Sequence, residues 1–185
     1  MESSIVLLFA TALMVLACAG PAKGGAAAGQ PDSTGMVLFS SAFGAGESIP
    51  TKYSLFGDNV SPDLAWDKVP DDTKGFVLIC RDPDAPSGTF YHWVLFSIPD
   101  DVRHLPEGIT RTAALPGGGI QGRNSFHRVG YDGPKPPSGT HRYYFELYAI
   151  DVKPALTPAA TAERVLQAIK GHIKGQANLM GTYTR

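Results

Sequence analysis

Three predominantly apolar runs of strand length constrain the core this chain can build: residues 76–80 (FVLIC), 93–98 (WVLFSI) and 143–150 (YYFELYAI). Short runs without polar alternation read as strands buried on both faces, because a helix needs a longer periodic segment. The third run is rich in aromatic and β-branched side chains, which suit a pleated, crowded surface. Weaker strand signals precede them at residues 37–43, which stop at Gly44, and at residues 48–54 around Ile49 and Tyr53. Residues 56–67 read as a loop leading into Leu64 and Trp66. With 43% hydrophobic residues in a chain of 185, one globular domain can bury a substantial core, and 21 Gly with 15 Pro suit a loop-rich β protein.

Polar groups gather where these runs end. Cys80-Arg81-Asp82-Pro83-Asp84-Ala85-Pro86 closes the first, His92 opens the second, and His141-Arg142-Tyr143 opens the third. Neighbouring strands would therefore bring two imidazoles, one or two carboxylates and a phenol together. Strand ends beside rigid loops are where polar groups converge on a small ligand. Imidazole N–H groups and a phenol donate to phosphate or carboxylate, and a carboxylate behind an imidazole fixes its tautomer. Residues 131–139 (YDGPKPPSG) supply a stiff wall through three prolines, with backbone donors available only at Gly133, Lys135, Ser138 and Gly139 within the stretch from Gly133 onward. Residues 115–124 (LPGGGIQGRN) hold four glycines; loops this long in a compact domain are often functional.

Two other chemistries compete for these residues. His92, His141, Asp82 and Asp84 are legal metal ligands, but no HxxxH or HExxH spacing supports a metal site. Ser87, Ser125 and Ser138 are available hydroxyls, yet none sits in GxSxG, so a hydrolase ranks third behind a binding protein and an interaction module. Plain structural roles also compete. Asp82 before a proline is a turn former, Asp84 is open between pocket and turn, Arg142 reads as half of an ion pair, and Trp66 and Trp93 read as core. His104 and His172, without a motif around them, read as satisfied polar residues.

The chain ends read differently from its middle. Residues 5–17 are apolar and uncharged, too short to span a bilayer but of signal-sequence length. Val15-Leu16-Ala17-Cys18 has the pattern of a bacterial lipobox, which predicts removal of residues 1–17, lipid on the Cys18 thiol and residence in the cell envelope. A plain secretory signal cleaved near Ala19-Gly20, or an uncleaved anchor, are the alternatives. Residues 18–35, small and rich in Gly, Ala and Pro, read as a flexible tether, so the domain spans 36–185. With Cys18 lipidated, Cys80 is left as a buried, inert thiol. The 16 Lys+Arg and 17 Asp+Glu form no long basic run, which argues against a nucleic-acid partner. Near the C-terminus, residues 161–174 place Ala162, Val165, Leu166, Ile169 and Ile173 on one face and predict an amphipathic helix capped by Thr161.

In their order, the motifs NVSPDLAW (59–66), RDPDAP (81–86), His92-Trp93, GRN (122–124), GYDGPKPP (130–137), GTHRY (139–143) and LYAID (147–151) resemble the phosphatidylethanolamine-binding protein family, in its bacterial Raf-kinase-inhibitor-like branch. The resemblance covers residues 36–174. It implies a mainly β sandwich of a large central sheet and a smaller one, with peripheral helices near the C-terminus. It also implies a ligand site of Asp82, Ala85, His92, Gly133, Pro136, His141 and Tyr143 for phosphate or a phosphoethanolamine-like headgroup, with no cofactor. Two departures stand out. Ser125 and His127 replace the family's usual Asp and Gly, which predicts His127 at the pocket rim, and Lys135 stands where many bacterial relatives carry Cys. The implied function is non-enzymatic binding of a small anion, with an envelope interaction or inhibitor module, its pocket regulatory or vestigial, as the alternative.

Overall fold

The computed structural model describes residues 28–31 and 33–185. The predicted signal segment and Cys18 lie outside them. A six-stranded sheet in the order β1-β9-β8-β4-β5-β7 faces a three-stranded sheet in the order β2-β3-β6, and every named pairing is antiparallel. The large sheet is built from β1 (Gln30–Pro31), β4 (Gly75–Asp82), β5 (Phe90–Ile98), β7 (Ile120–Gln121), β8 (Thr140–Ile150) and β9 (Ile173–Thr184). The small sheet contains β2 (Val37–Phe39), β3 (Leu64–Asp67) and β6 (His104–Leu105). The three apolar runs are thus β4, β5 and β8, hydrogen-bonded neighbours at the centre of the large sheet.

Side-chain alternation divides the core into two layers. Leu78 and Cys80 of β4, Trp93 and Leu95 of β5, and Tyr143, Phe145 and Leu147 of β8 face the small sheet and meet Met36, Leu38, Leu64 and Trp66. Val77, Ile79, Val94, Phe96, Tyr148 and Ile150 point the other way, under α1 (Ala162–Ala168), the one α-helix among the described residues. Burial on both faces is why these strands lack polar alternation.

Three boundaries differ from the sequence reading. The helix closes at Ala168, Gly171 adopts φ 83°, and the chain then enters β9. Ile173, expected on the helix's apolar face, is 42% exposed at the start of that strand. β9 is the longest strand, yet its inward positions are Gly175, Ala177, Leu179, Gly181 and Tyr183, so its period of two carries little hydrophobic contrast. Residues 48–54 make one parallel bridge, Ser48 to Thr182, then a 3-10 turn over Thr51–Tyr53, closed by the Tyr53 N–H donating to the Pro50 carbonyl at 2.9 Å. Ordered pairing also begins before Met36: Gln30 and Pro31 pair with Asn178 and Ala177, inside the segment read as tether.

Phe145 sits at the heart of the inter-sheet layer, fully buried, with ring centroids 5.7 Å from Phe43 and 6.5 Å from Tyr131. Phe145→Ala should cost about 3–5 kcal/mol in urea unfolding without changing the topology, since the gap lies between two stiff sheets that cannot collapse into it.

Candidate functional site

One β-bulge creates the site. Between β4 and β5, Cys80 pairs with Trp93, but the next residue, Arg81, pairs with Tyr91. His92 is therefore an extra residue with no partner on β4. Strict alternation would send its side chain to the face opposite Trp93; the bulge re-aims it toward Tyr143 on the small-sheet side, with ring centroids 5.2 Å apart. The backbone that the bulge frees bonds elsewhere: the Asp132 N–H donates to the His92 carbonyl at 3.0 Å. The His92 ring returns the contact, its Nδ1 lying 2.7 Å from the Asp132 carbonyl oxygen. Backbone and side chain of His92 are thus clamped to one residue of the proline-rich loop.

His141 and Asp82 arrive on adjacent strands. The β4–β8 register places Arg81 opposite Tyr144, which carries Asp82 and His141 to the same sheet end. His141 Nδ1 lies 2.7 Å from Asp82 Oδ2. Asp82 Oδ1 accepts from the Asp84 N–H at 2.8 Å, so the turn-forming and imidazole-orienting roles of Asp82 coexist, one per oxygen. Asp84 is drawn away from the cavity by Arg142, which gives it a backbone bond at 2.9 Å and a forked contact at 2.9 and 2.6 Å. That guanidinium holds the Asp84 carboxyl down at about 2. Arg142 is the ion-pair residue its sequence context predicts.

Beneath the bulge lies a fully buried carboxylate, Asp132. Arg111 forks onto it with two bonds of 2.9 Å, Arg128 approaches at 3.0 Å, and the side chains of Asn124 and Asn59 donate at 2.7 and 3.2 Å. Burial alone would raise its pKa, but the bonds from Arg111, Asn124 and Asn59 outweigh that and hold it below the ordinary carboxyl value. Burial pushes the His92 imidazole down, against the pull of the Asp132 and Gly133 carbonyls and of the nearby carboxylates. Burial therefore favours the neutral form of His92.

These elements enclose a cavity of about 190 Å³ lined by Asp82, Ala85, Pro86, Ser87, Phe90, His92, Phe126, Lys135, Pro137 and His141. Of the seven residues implied by the family resemblance, Asp82, Ala85, His92 and His141 form its wall. Gly133, Pro136 and Tyr143 are not among its lining residues. Tyr143 is fully buried; its hydroxyl makes no hydrogen bond of acceptable geometry, and burial, then Asp82 and Cys80, push its pKa up. The Gly133 N–H is taken by Asn59 Oδ1 at 2.8 Å, so it is no donor to a ligand. Gly133 is required for another reason: a Cβ there would lie 1.9 Å from the Tyr53 carbonyl oxygen.

Phe90 and Phe126 were not singled out by sequence. Their rings meet edge to face at 4.7 Å, and both pack on His92. Phe126, not His127, reaches the cavity. His127 is exposed with φ 60°, the left-handed conformation that a glycine adopts without cost. Lys135 brings a cation to the rim. Cys80 is buried, and burial raises its thiol pKa, as an inert core cysteine requires. Trp66 and Trp93 are core, and His172 is held by Asp151 at 2.8 Å. Among the described residues, no three His, Cys, Asp or Glu side chains are placed to hold a metal ion.

Gly133→Ala should destabilise the domain by about 3 kcal/mol, because its Cβ meets backbone rather than a movable side chain; chemical denaturation measures this. Arg111→Met should cost about 2 kcal/mol at neutral pH, below the full price of breaking a buried pair, because Arg111 is 37% exposed and Arg128 remains. Asp132 has a depressed folded pKa, so its contribution is complete above the unfolded carboxyl value of about 3.9 and is lost as pH falls through the folded value. The gap between wild type and variant should therefore close as urea melts are moved from neutral pH to strong acid.

Comparison with known proteins agrees with this architecture. Residues 39–184 match the phosphatidylethanolamine-binding protein family. A UPF0098 protein of Methanothermobacter thermautotrophicus is 48% identical over 150 residues, covering 81% of this chain and 99% of that protein. A crystal structure of a phosphatidylethanolamine-binding protein homologue from Chlamydia trachomatis, CT736, superposes with a TM-score of 0.74 at 40% identity, covering 80% of this chain and 96% of that one. Escherichia coli YbcL, described as a member of the mammalian PEBP family, superposes with a TM-score of 0.76 at 31% identity, covering 80% and 97%.

Proposed function

We propose that this chain, which belongs to the phosphatidylethanolamine-binding protein family, holds a small phosphate-like anion between His92 and His141 and performs no chemistry on it. The observation that carries this reading is the pair of imidazoles on one cavity wall, each with Nδ1 tied from behind at 2.7 Å, so that Nε2 is the polar atom left for a ligand. Lys135 at the mouth adds attraction for an anion. Phe90, Phe126, Pro86 and Pro137 lower the local dielectric and strengthen each polar contact. The volume of about 190 Å³ admits a phosphoryl group and a short substituent, so a phospholipid would enter by its headgroup alone.

A hydrolytic role would need an activated nucleophile. Ser87 is the hydroxyl on the wall, and no hydrogen bond joins it to either imidazole; Ser125 Oγ is engaged by the Tyr91 N–H at 2.9 Å. Binding without turnover is the reading these contacts favour. The lipobox pattern at Cys18 supports a domain held at the membrane surface of the envelope, within reach of phospholipid headgroups.

Each charge-assisted contact contributes about 1.5–3 kcal/mol, so two contacts to bare phosphate give a Kd in the range of ~mM. Calorimetric titration at pH 6 with phosphate and with phosphoethanolamine should show binding by the wild type and at least ~10-fold weaker binding by His141→Ala. Equal affinity in the two proteins would remove His141 from the site.

A further inference from the structure

Resting on that reading, we propose that the cavity takes up its anion together with a proton. The ligand is either an oxyanion that carries its own P–OH, or a fully deprotonated oxyanion admitted only when an imidazole is doubly protonated.

The geometry requires this. His92 Nδ1 lies 2.7 Å from the Asp132 carbonyl oxygen, which has no hydrogen to give, so Nδ1 is the donor. A singly protonated His92 ring then has a bare lone pair at Nε2. His141 Nδ1 lies 2.7 Å from Asp82 Oδ2 in a carboxylate whose Oδ1 already accepts the Asp84 N–H, which makes Nδ1 the donor there too. In their neutral forms both rings therefore face the cavity as acceptors, and two acceptors repel an oxyanion. Ser87 places one hydroxyl on the wall, but that donor leaves both Nε2 lone pairs facing the anion. The Gly133 N–H belongs to Asn59, and the Tyr143 hydroxyl is buried behind His92. Lys135 lies exposed at the mouth, where water screens its charge.

The charged surroundings of each ring are as follows. His92 faces Asp82 from β4, His141 and Tyr143 from β8, and Asp132 from the loop, with Arg111 and Arg128 already committed to Asp132. His141 faces Asp82 and, beyond it, the Asp84–Arg142 pair. Burial disfavours the doubly protonated form of His92. The missing hydrogen comes from solvent onto Nε2, or arrives on the ligand.

Three probes separate these sources. At pH 8 hydrogenphosphate still carries one P–OH, whereas sulfate and the methyl phosphate dianion carry none. Calorimetry at pH 5.5 and pH 8, in two buffers of different ionisation enthalpy, should show sulfate binding more tightly at the lower pH, with a net uptake of protons that grows as the pH is raised between the two. Sulfate affinity should fall at least ~10-fold by pH 8, since each pH unit above an imidazole's value removes the doubly protonated ring tenfold, and methyl phosphate should weaken in parallel, while inorganic phosphate loses much less. Asp82→Asn supplies an independent test. Its amide can keep the Asp84 bond through oxygen and donate to His141 Nδ1 through nitrogen, which moves the ring proton to Nε2 and creates a neutral donor. Sulfate binding by that variant should become nearly independent of pH at unchanged thermal stability. Equal sulfate affinity at both pH values without proton uptake, or an undiminished pH slope in a folded Asp82→Asn protein, overturns the inference and leaves the anion site standing. Failure of all three anions at both pH values overturns the anion site itself, and the inference with it.

Discussion

The reciprocal contact between His92 and Asp132 is what the rest of the site depends on. A bulged residue leaves a β-ladder and must find partners for its freed backbone. Here the His92 carbonyl accepts the Asp132 N–H while the His92 ring donates to the Asp132 carbonyl. The first contact stabilises the bulge; the second fixes the rotamer and tautomer of the side chain that the bulge re-aims. Without the loop, His92 would have no reason to leave the alternation of β5. Without the bulge, the loop would have no strand to lie against.

The same residue explains why the loop itself is rigid. Asp132 uses its backbone on His92 and its carboxylate on Arg111, Arg128, Asn124 and Asn59. Those four partners come from three separated chain segments, before β3, between β6 and β7, and after β7. A buried carboxylate with several donors strongly penalises any rearrangement that leaves it unpaired. Asn124 is doubly engaged: its amide oxygen accepts from Phe126 and Arg128 backbone N–H groups at 3.0 and 3.1 Å, which shapes the turn that delivers Phe126 to the cavity. Preorganisation of the cavity wall is thus a by-product of solvating one buried charge.

The sequence makes some of this legible and conceals the rest for identifiable reasons. The strands β4, β5 and β8 are readable because burial on both faces removes polar residues from them. Asp82, His92 and His141 are readable because they interrupt apolar runs at their ends. β9 escapes because close approach of Phe43 and Ile49 demands Gly at position 181, and Pro70 crowds Gly175, so the strand's inner face is nearly featureless in sequence. The predicted donor at Gly133 and wall position of Tyr143 fail for another reason. Sequence reports that residues are adjacent, but not which already have partners; Asn59, distant in the chain, takes the Gly133 N–H. Phe90 and Phe126 look like ordinary apolar residues until the bulge and the Asn124 turn place them around an imidazole.

Selectivity in such a cavity is a matter of hydrogen inventory more than of charge. Both imidazoles are tied at Nδ1 by groups that accept, so the tying that orients each ring also removes the donor an anion needs. Apolar walls raise the stakes, since a mismatched lone pair in a low-dielectric cleft cannot be rescued by water as it would be on an open surface. In the proposed binding mode Lys135 would attract anions of every kind to the mouth without distinguishing them, because its charge acts at a distance and through solvent. Under the proposed binding mode discrimination would fall to the two Nε2 atoms, which would distinguish ligands by whether a proton is present at the interface. A site working in the proposed way would prefer a phosphoryl group bearing a hydroxyl over an isosteric dianion without one, although the two have the same shape.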